Sequence, residues 1–288
     1  MVSSSVRVLL QHKHDTFTVA EKRVIGVLLA NYPSAALTSI SNLACQAGVS
    51  DPTVHRLVVK LGFEGYPEFQ KALLAEVDER MNSPLSMLET AAYAQSAVDL
   101  DKAMLGSLAV SVGKTAEHAT RHDFEQAVAL LADMGHAVYC CGGRASGFLA
   151  SRLVTLLCHL RPRARHIEPS LERAHEVLVD IDAGDVLVVY DYRRYQESVV
   201  QFAQAAHARG ARILLFTDEW RSPIASFAET VLVSFAQTAS PFDTKVPALA
   251  QSESLIAALV QRLPDQAKAR LQRIEALRSA DVDLPAKA

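Results

Sequence analysis

The sequence has few cysteines: Cys45, Cys140, Cys141 and Cys158 are the only four in 288 residues. None forms a C-x-x-C pair, and adjacent Cys140 and Cys141 cannot readily bond each other within a strand. A reduced, cytoplasmic compartment is therefore expected. Long apolar runs are also missing, since none approaches the ~20 residues a membrane span needs. The short patch Val6 to Leu10 is broken by Arg7 and follows no basic leader, so no signal peptide is expected. Neither sign of charge dominates. The 29 Lys+Arg and 32 Asp+Glu leave a net −3, a total that advertises neither nucleic acid nor an acidic membrane surface. Internal repeats and low-complexity tracts are lacking too.

What is present is apolar bulk, at 50% hydrophobic residues. A chain of this length can hold two domains and bury roughly three quarters of its unfolded surface, with no metal or disulfide staple. From Phe17 to about Met81 the pattern is helical. Thr18 and Glu21 have the spacing of a capping box ahead of Val24, Ile25, Val27, Leu28 and Leu29. A second helix starts at Thr38 or Ser39, carries Ile40, Leu43, Ala44 and Ala47 on one face, and stops at Gly48. A third starts at the cap Ser50, has Pro52 in its first turn, and runs to Gly62. Two short helices joined by a Gly-containing turn make a helix-turn-helix unit.

Asn82-Ser83-Pro84 is the expected hinge out of this head. Beyond Glu125 apolar strands alternate with amphipathic helices. The strands are expected at Ala137–Cys141, Arg165–Ile167, Val186–Tyr190, Arg212–Phe216 and Thr230–Phe235. The helices are expected at Gly147–Leu160, Gln196–Ala208, Pro223–Ala228, Val246–Arg262 and Asp265–Ser279. This grammar predicts a doubly wound parallel five-stranded α/β/α domain behind an all-α head. The domains are expected at residues 1–80 and 123–288, with a helical linker over 81–122.

In a helix-turn-helix the second helix enters the major groove. With Val54, Leu57, Val58 and Leu61 facing inward, the spacing leaves Asp51, Thr53, His55, Arg56 and Lys60 on the outward arc. Arg56 can grip guanine or a phosphate, and Ser39 and Ser50 sit at helix starts where a phosphate backbone can approach. The same pair of helices could equally be a packing module without DNA affinity.

The run Thr18-Val-Ala-Glu21-Lys22, Ser39-Ile40-Ser-Asn-Leu43-Ala44, Gly48-Val49-Ser50, Thr53-Val54, Arg56 and Lys60-Leu61-Gly62-Phe63-Glu-Gly65-Tyr66-Pro67-Glu68-Phe69 resembles the amino-terminal domain of RpiR (MurR/RpiR) transcriptional regulators. The resemblance implies a dimer on an inverted-repeat operator. The second half, from about residue 123 to 265, resembles the SIS (sugar isomerase) domain that follows in that family and binds phosphosugars. That likeness is carried by Gly142-Gly143-Arg144-Ala145-Ser146, by Gly210-Ala211 and Thr217-Asp218, and by the apolar final helices. It implies a regulator that senses an anionic sugar-derived metabolite, as a homodimer or homotetramer, with no cofactor.

Two loops depart from the family. Arg144 stands where a second glycine is usual. The hydroxyl-rich loop after the third strand is replaced by Asp191-Tyr192-Arg193-Arg194-Tyr195-Gln196. Arg144 with Arg193 or Arg194 could supply guanidinium forks to a carboxylate or phosphate. Alternatively these side chains fill the pocket or pair with Asp191 or Glu197, leaving a domain that serves only for oligomerisation. The candidate effector contacts are Gly142, Gly143, Arg144, Ser146, Arg193, Arg194, Thr217, Asp218, Ser240 and Thr244, with Ser222 also at a strand end.

Glu253 could serve as the base of an isomerase, the rival reading, although a lone helical Glu is more often a surface group. No catalytic residue is singled out. His118 and His122 have an i, i+4 metal spacing but no third ligand, so no metal site is expected.

Overall fold

The computed structural model describes residues 6–12, 17–81, 100–168 and 174–279. The expected hinge at Asn82-Ser83-Pro84 lies outside them. The chain divides into two compact units, residues 1–95 and 96–288.

The first unit is helical, with α1 Val6–His12, α2 Val19–Ala30, α3 Ile40–Ala47, α4 Asp51–Lys60 and α5 Tyr66–Met81. The capping box forms: the Glu21 N–H donates to Thr18 Oγ1 at 3.3 Å and the Thr18 N–H donates to Glu21 Oε2 at 2.7 Å. Ser39 caps α3 by accepting from the Asn42 N–H at 3.2 Å. Gly48 ends that helix at φ +63, a left-handed conformation that suits glycine. Val24 and Leu28 of α2, Leu43 of α3, Leu57 and Val58 of α4 and Phe69 and Leu73 of α5 form one buried core. Each such side chain contributes roughly 1.5–3 kcal/mol through removal from water. The Tyr66 hydroxyl donates to the carbonyls of Ala36 and Thr38, which ties α5 to the segment ahead of α3.

The second unit begins with α6 Leu100–His118 and α7 Arg121–Ala132. Then β1 Val138–Gly142, α8 Gly147–Leu160, β2 Ala164–His166, α9 Ala174–Val179, β3 Val186–Tyr190, α10 Glu197–Ala208, β4 Arg212–Asp218, β5 Thr230–Ser234, α11 Val246–Arg262 and α12 Pro264–Ser279 follow. The strands form one parallel sheet in the order β2-β1-β3-β4-β5. Helix α9 fills the crossover from β2 to β3 and was not expected from sequence. The stretch Pro223–Ser226 forms a 3-10 turn where a longer helix was expected.

Every residue of β1 and β3 is buried, because helices cover both faces. On one face Val138, Cys140, Val188 and Phe216 pack against Leu131, Leu153 and Leu255. On the other, Tyr139, Cys141, Val189 and Leu215 pack against Phe202, Ala203 and Ile181. Cys140 and Cys141 are thus core residues, and burial pushes both thiols well up, so they stay protonated.

Helix α6 falls within the stretch expected as a linker and within the second unit. Its Ser111 hydroxyl donates to the Phe235 carbonyl, and Thr115 Oγ1 accepts from the Phe235 N–H at 3.0 Å. The His118 ring lies 4.6 Å from that of Phe235, and its Nδ1 is 2.8 Å from the Lys114 carbonyl oxygen.

The chain runs outward from β1 in both directions, to β2 on one side and through β3 to β5 on the other. Loops leaving the carboxyl ends of β1 and β3 therefore diverge and leave a crevice between them.

Candidate functional site

In the first unit, α4 exposes Pro52, His55, Arg56, Val59 and Lys60. Thr53 does not join them: it is 8% exposed, which corrects its expected place on the outward arc. It lies one turn before Leu57 and so shares the buried stripe. Its hydroxyl is 3.1 Å from Ser50 Oγ and accepts from Arg56 Nη2 at 3.4 Å. Lys60 is directed inward at its tip, where Nζ donates to Glu21 Oε2 at 3.2 Å and lies 5.3 Å from the Phe17 ring. Burial pushes the Glu21 carboxyl up, but its bonds from the Thr18 N–H and Lys60 outweigh burial and leave it below the ordinary range. Ser50, His55 and Arg56 stay on the exposed arc of this helix and its cap. Ser39 is occupied at the start of α3. The exposed Val59, 49% accessible, was not anticipated.

In the second unit, the loop after β1 turns sharply. A Cβ on Gly142 would stand 3.0 Å from backbone atoms of Ser146 and Gly147, so glycine is required there. The Ser146 hydroxyl, expected to meet a ligand, instead donates to the Tyr190 carbonyl at 2.7 Å and is buried. It clamps this loop to β3. Arg144 remains exposed.

The loop after β3 is built around a buried ion pair. Arg193 Nε donates to Asp243 Oδ2 at 3.0 Å and Nη2 to Oδ1 at 2.8 Å. Its side chain is 4% exposed and lies over the Trp220 ring at 5.3 Å. Neither Asp191 nor Glu197 is the partner, because the Asp243 loop folds over from the far end of the sheet. Arg194, at φ +66, adopts the left-handed conformation that non-glycine residues seldom take, and its side chain is exposed.

Asp218 lies behind the crevice, wholly buried, accepting from the Tyr195 hydroxyl at 2.7 Å and from the Trp220 and Arg193 N–H groups. Thr217 Oγ1 accepts from the Ser222 N–H. Ser240 and Thr244 brace their own turn by accepting from the Phe242 and Val246 N–H groups. These four expected contacts support the loops and do not line the cavity.

That cavity, about 420 Å³, is lined by Gly143, Arg144, Asp191, Arg194 and Lys245 among others. Among the described residues neither Arg144 nor Arg194 pairs with a carboxylate. Lys245 was missed from sequence. Its Nζ lies 4.8 Å from the Tyr192 ring, and burial pulls its pKa down while Asp243 and Asp218 oppose the change. A search for cations in the loop after the fifth strand would have found it.

Asp191 accepts from the Ser222 hydroxyl at 2.5 Å and from the Gln196 N–H at 3.4 Å. Burial dominates these bonds and, with Asp218 nearby, raises its pKa to about 6. The candidate base Glu253 pairs with Arg152 at 3.1 Å, both half-exposed. Three cations around one buried carboxylate can hold an anion that also offers hydroxyl donors.

A helix-turn-helix head and a doubly wound domain with a crevice at its strand ends define a transcriptional regulator with a separate α/β unit. Residues 5–80 match the helix-turn-helix domain of the rpiR family, and residues 130–258 match the SIS domain. The chain belongs to the RpiR family of helix-turn-helix transcriptional regulators. An uncharacterised HTH-type transcriptional regulator of Haemophilus influenzae is 22% identical over 225 residues, 77% of this chain and 76% of that protein. The sugar isomerase domain of an RpiR transcription factor from Sphaerobacter thermophilus superposes with a TM-score of 0.58 at 22% identity, over 62% of this chain and 98% of that one. The NanR protein of Vibrio vulnificus, solved with ManNAc-6P, superposes with a TM-score of 0.55 at 20% identity, over 96% and 99%. These likenesses establish the fold. Among the described residues no helix is long and apolar enough to cross a membrane.

Proposed function

We propose that the SIS domain senses an anionic sugar-derived metabolite, a sugar phosphate or sugar acid, and that its binding changes the affinity of the helix-turn-helix head for operator DNA. The observation that carries this reading is the cluster of Arg144, Arg194 and Lys245 around the cavity at the carboxyl ends of β1 and β3. The ManNAc-6P bound by NanR, which shares the fold, supports a sugar phosphate as one candidate class. In this reading the head spans residues 1–80, the sensor spans 123–288, and a homodimer places two copies of α4 on the halves of an inverted repeat. Regulation is a population shift, in which the ligand favours one arrangement of the heads.

The reading assigns no catalysis. Asp191 is buried and bonded to Ser222, and Glu253 is engaged with Arg152 at the surface. The test is thermal-shift screening of the full chain against hexose phosphates and aldonic acids, followed by footprinting on its own upstream DNA with and without the best ligand. A melting-temperature rise together with altered protection is expected, since a ligand that binds the folded state stabilises it by mass action. Absence of protection at moderate salt, or phosphosugar turnover, would contradict it.

A further inference from the structure

Beside the cation-lined cavity is a second cavity of about 570 Å³. Both are lined by Gly143, Arg144 and Gln196, so they are two lobes of one crevice with Gln196 as the ridge between them. That ridge is fixed at both ends of its amide. Gln196 Oε1 accepts from the Arg144 N–H at 3.1 Å, and Nε2 donates to Ser198 Oγ at 2.7 Å. Gly143 lies at the same boundary, where a Cβ would stand 3.4 Å from Gln196 Oε1.

The chemistry of the two lobes differs. Arg144 borders both; the first adds Arg194 and Lys245, with Phe242 on its wall, whereas the second adds no further arginine or lysine. The second presents the Phe148 ring, with Ser151 almost one turn further along α8, and His166 and Glu168 from the end of β2. Phe148 is 59% exposed, which leaves much of its ring open to a ligand. An aromatic ring flanked by one hydroxyl, one imidazole and one carboxylate, with Arg144 shared at the boundary, is a poor second anion site. It suits an uncharged sugar ring, whose C–H face packs on the aromatic while its hydroxyls meet the polar groups.

Each lobe alone is within the roughly 300–1,000 Å³ typical of a whole small-molecule site, so a monosaccharide anion would use only the first. We propose that the effector is an anionic glycoside of two parts, a charged sugar unit in the Arg144–Arg194–Lys245 lobe and a second, uncharged sugar ring in the Phe148 lobe. This rests on the anion-sensing reading above.

The test is calorimetric titration of the full chain with matched pairs of probes. Each monosaccharide anion, glucose 6-phosphate and gluconate among them, is compared with its glycosylated counterpart, trehalose 6-phosphate and lactobionate among these. For the pairs whose monosaccharide binds, the glycosylated member is expected to bind about tenfold more tightly, the factor that corresponds to about 1.4 kcal/mol. Phe148→Ala, at an exposed position, is expected to erase that advantage and leave the monosaccharide affinity unchanged, and Glu168→Gln to reduce it. Arg144→Ala is expected to weaken both members. Equal affinity within every binding pair, or an equal loss of both members in Phe148→Ala, would overturn the two-part ligand while leaving anion sensing intact. Failure of every probe to bind, monosaccharide and glycoside alike, would overturn the anion-sensing reading itself.

Discussion

Arg193 is bonded through two N–H groups to Asp243, fifty positions later in the chain. The pair joins the loop after β3 to the loop ahead of α11 and accounts for one of the arginines that sequence alone offers as an anion fork. Arg193 is consequently structural, and the cations left at the cavity are its neighbour Arg194, Arg144 and Lys245.

Removing one partner of this pair leaves a buried charge uncompensated. Asp243→Ala should destabilise the second unit by about 3–5 kcal/mol, read as a fall in the midpoint of urea unfolding. The double variant Arg193→Met with Asp243→Leu should cost clearly less than the sum of the two single changes. Additive losses would show that the two groups do not act as a pair.

Within the head, Lys60 and Arg56 should separate. Arg56→Ala should weaken operator binding by about 1–3 kcal/mol, whereas Lys60→Ala should mainly lower the melting temperature of the head, because Lys60 is bound to Glu21. Glu21 has a depressed pKa, so its contribution is present above the ordinary carboxylate range and is lost as pH falls through its folded value. Glu21→Gln should therefore destabilise the head at pH 7 and matter little at pH 2. A Lys60→Ala loss in DNA affinity equal to that of Arg56→Ala would contradict this division.

Asp191 has the opposite sign. Its folded pKa of about 6 exceeds the ordinary 3.8, so the folded state holds the proton more tightly than the unfolded chain does. Its contribution to stability is complete below about pH 4 and is lost as pH rises through 6. Asp191→Asn should then raise the melting temperature relative to wild type at pH 7.5 and make little difference at pH 4. A difference that stays constant with pH would show that Asp191 does not titrate in this range.

The fold was largely legible in the sequence. Val186–Tyr190 and Val246–Arg262 stand where their apolar patterns place them, and the Thr18 and Glu21 spacing marks the start of α2. Such features depend on residues a few positions apart. The site was legible only in part, because side-chain direction is settled by distant neighbours. Ser146 turns to the Tyr190 carbonyl 44 positions away, and Arg193 turns to Asp243. Lys245 reaches the cavity from the loop after the last strand. Thr53 is the local exception, since its i, i+4 relation to Leu57 already marks it as buried.

If the cation-lined crevice controls the head, as proposed, operator affinity must depend on its ligand. The decisive quantity is the dissociation constant of full-length protein for its upstream operator, measured by fluorescence anisotropy at fixed salt, without and with a saturating anionic sugar derivative found by thermal shift. A change of about 5- to 150-fold is expected in wild type. In Arg144→Ala, at the same concentration of the derivative, a smaller change is predicted. An operator affinity that does not move in wild type, although the derivative binds, would contradict it.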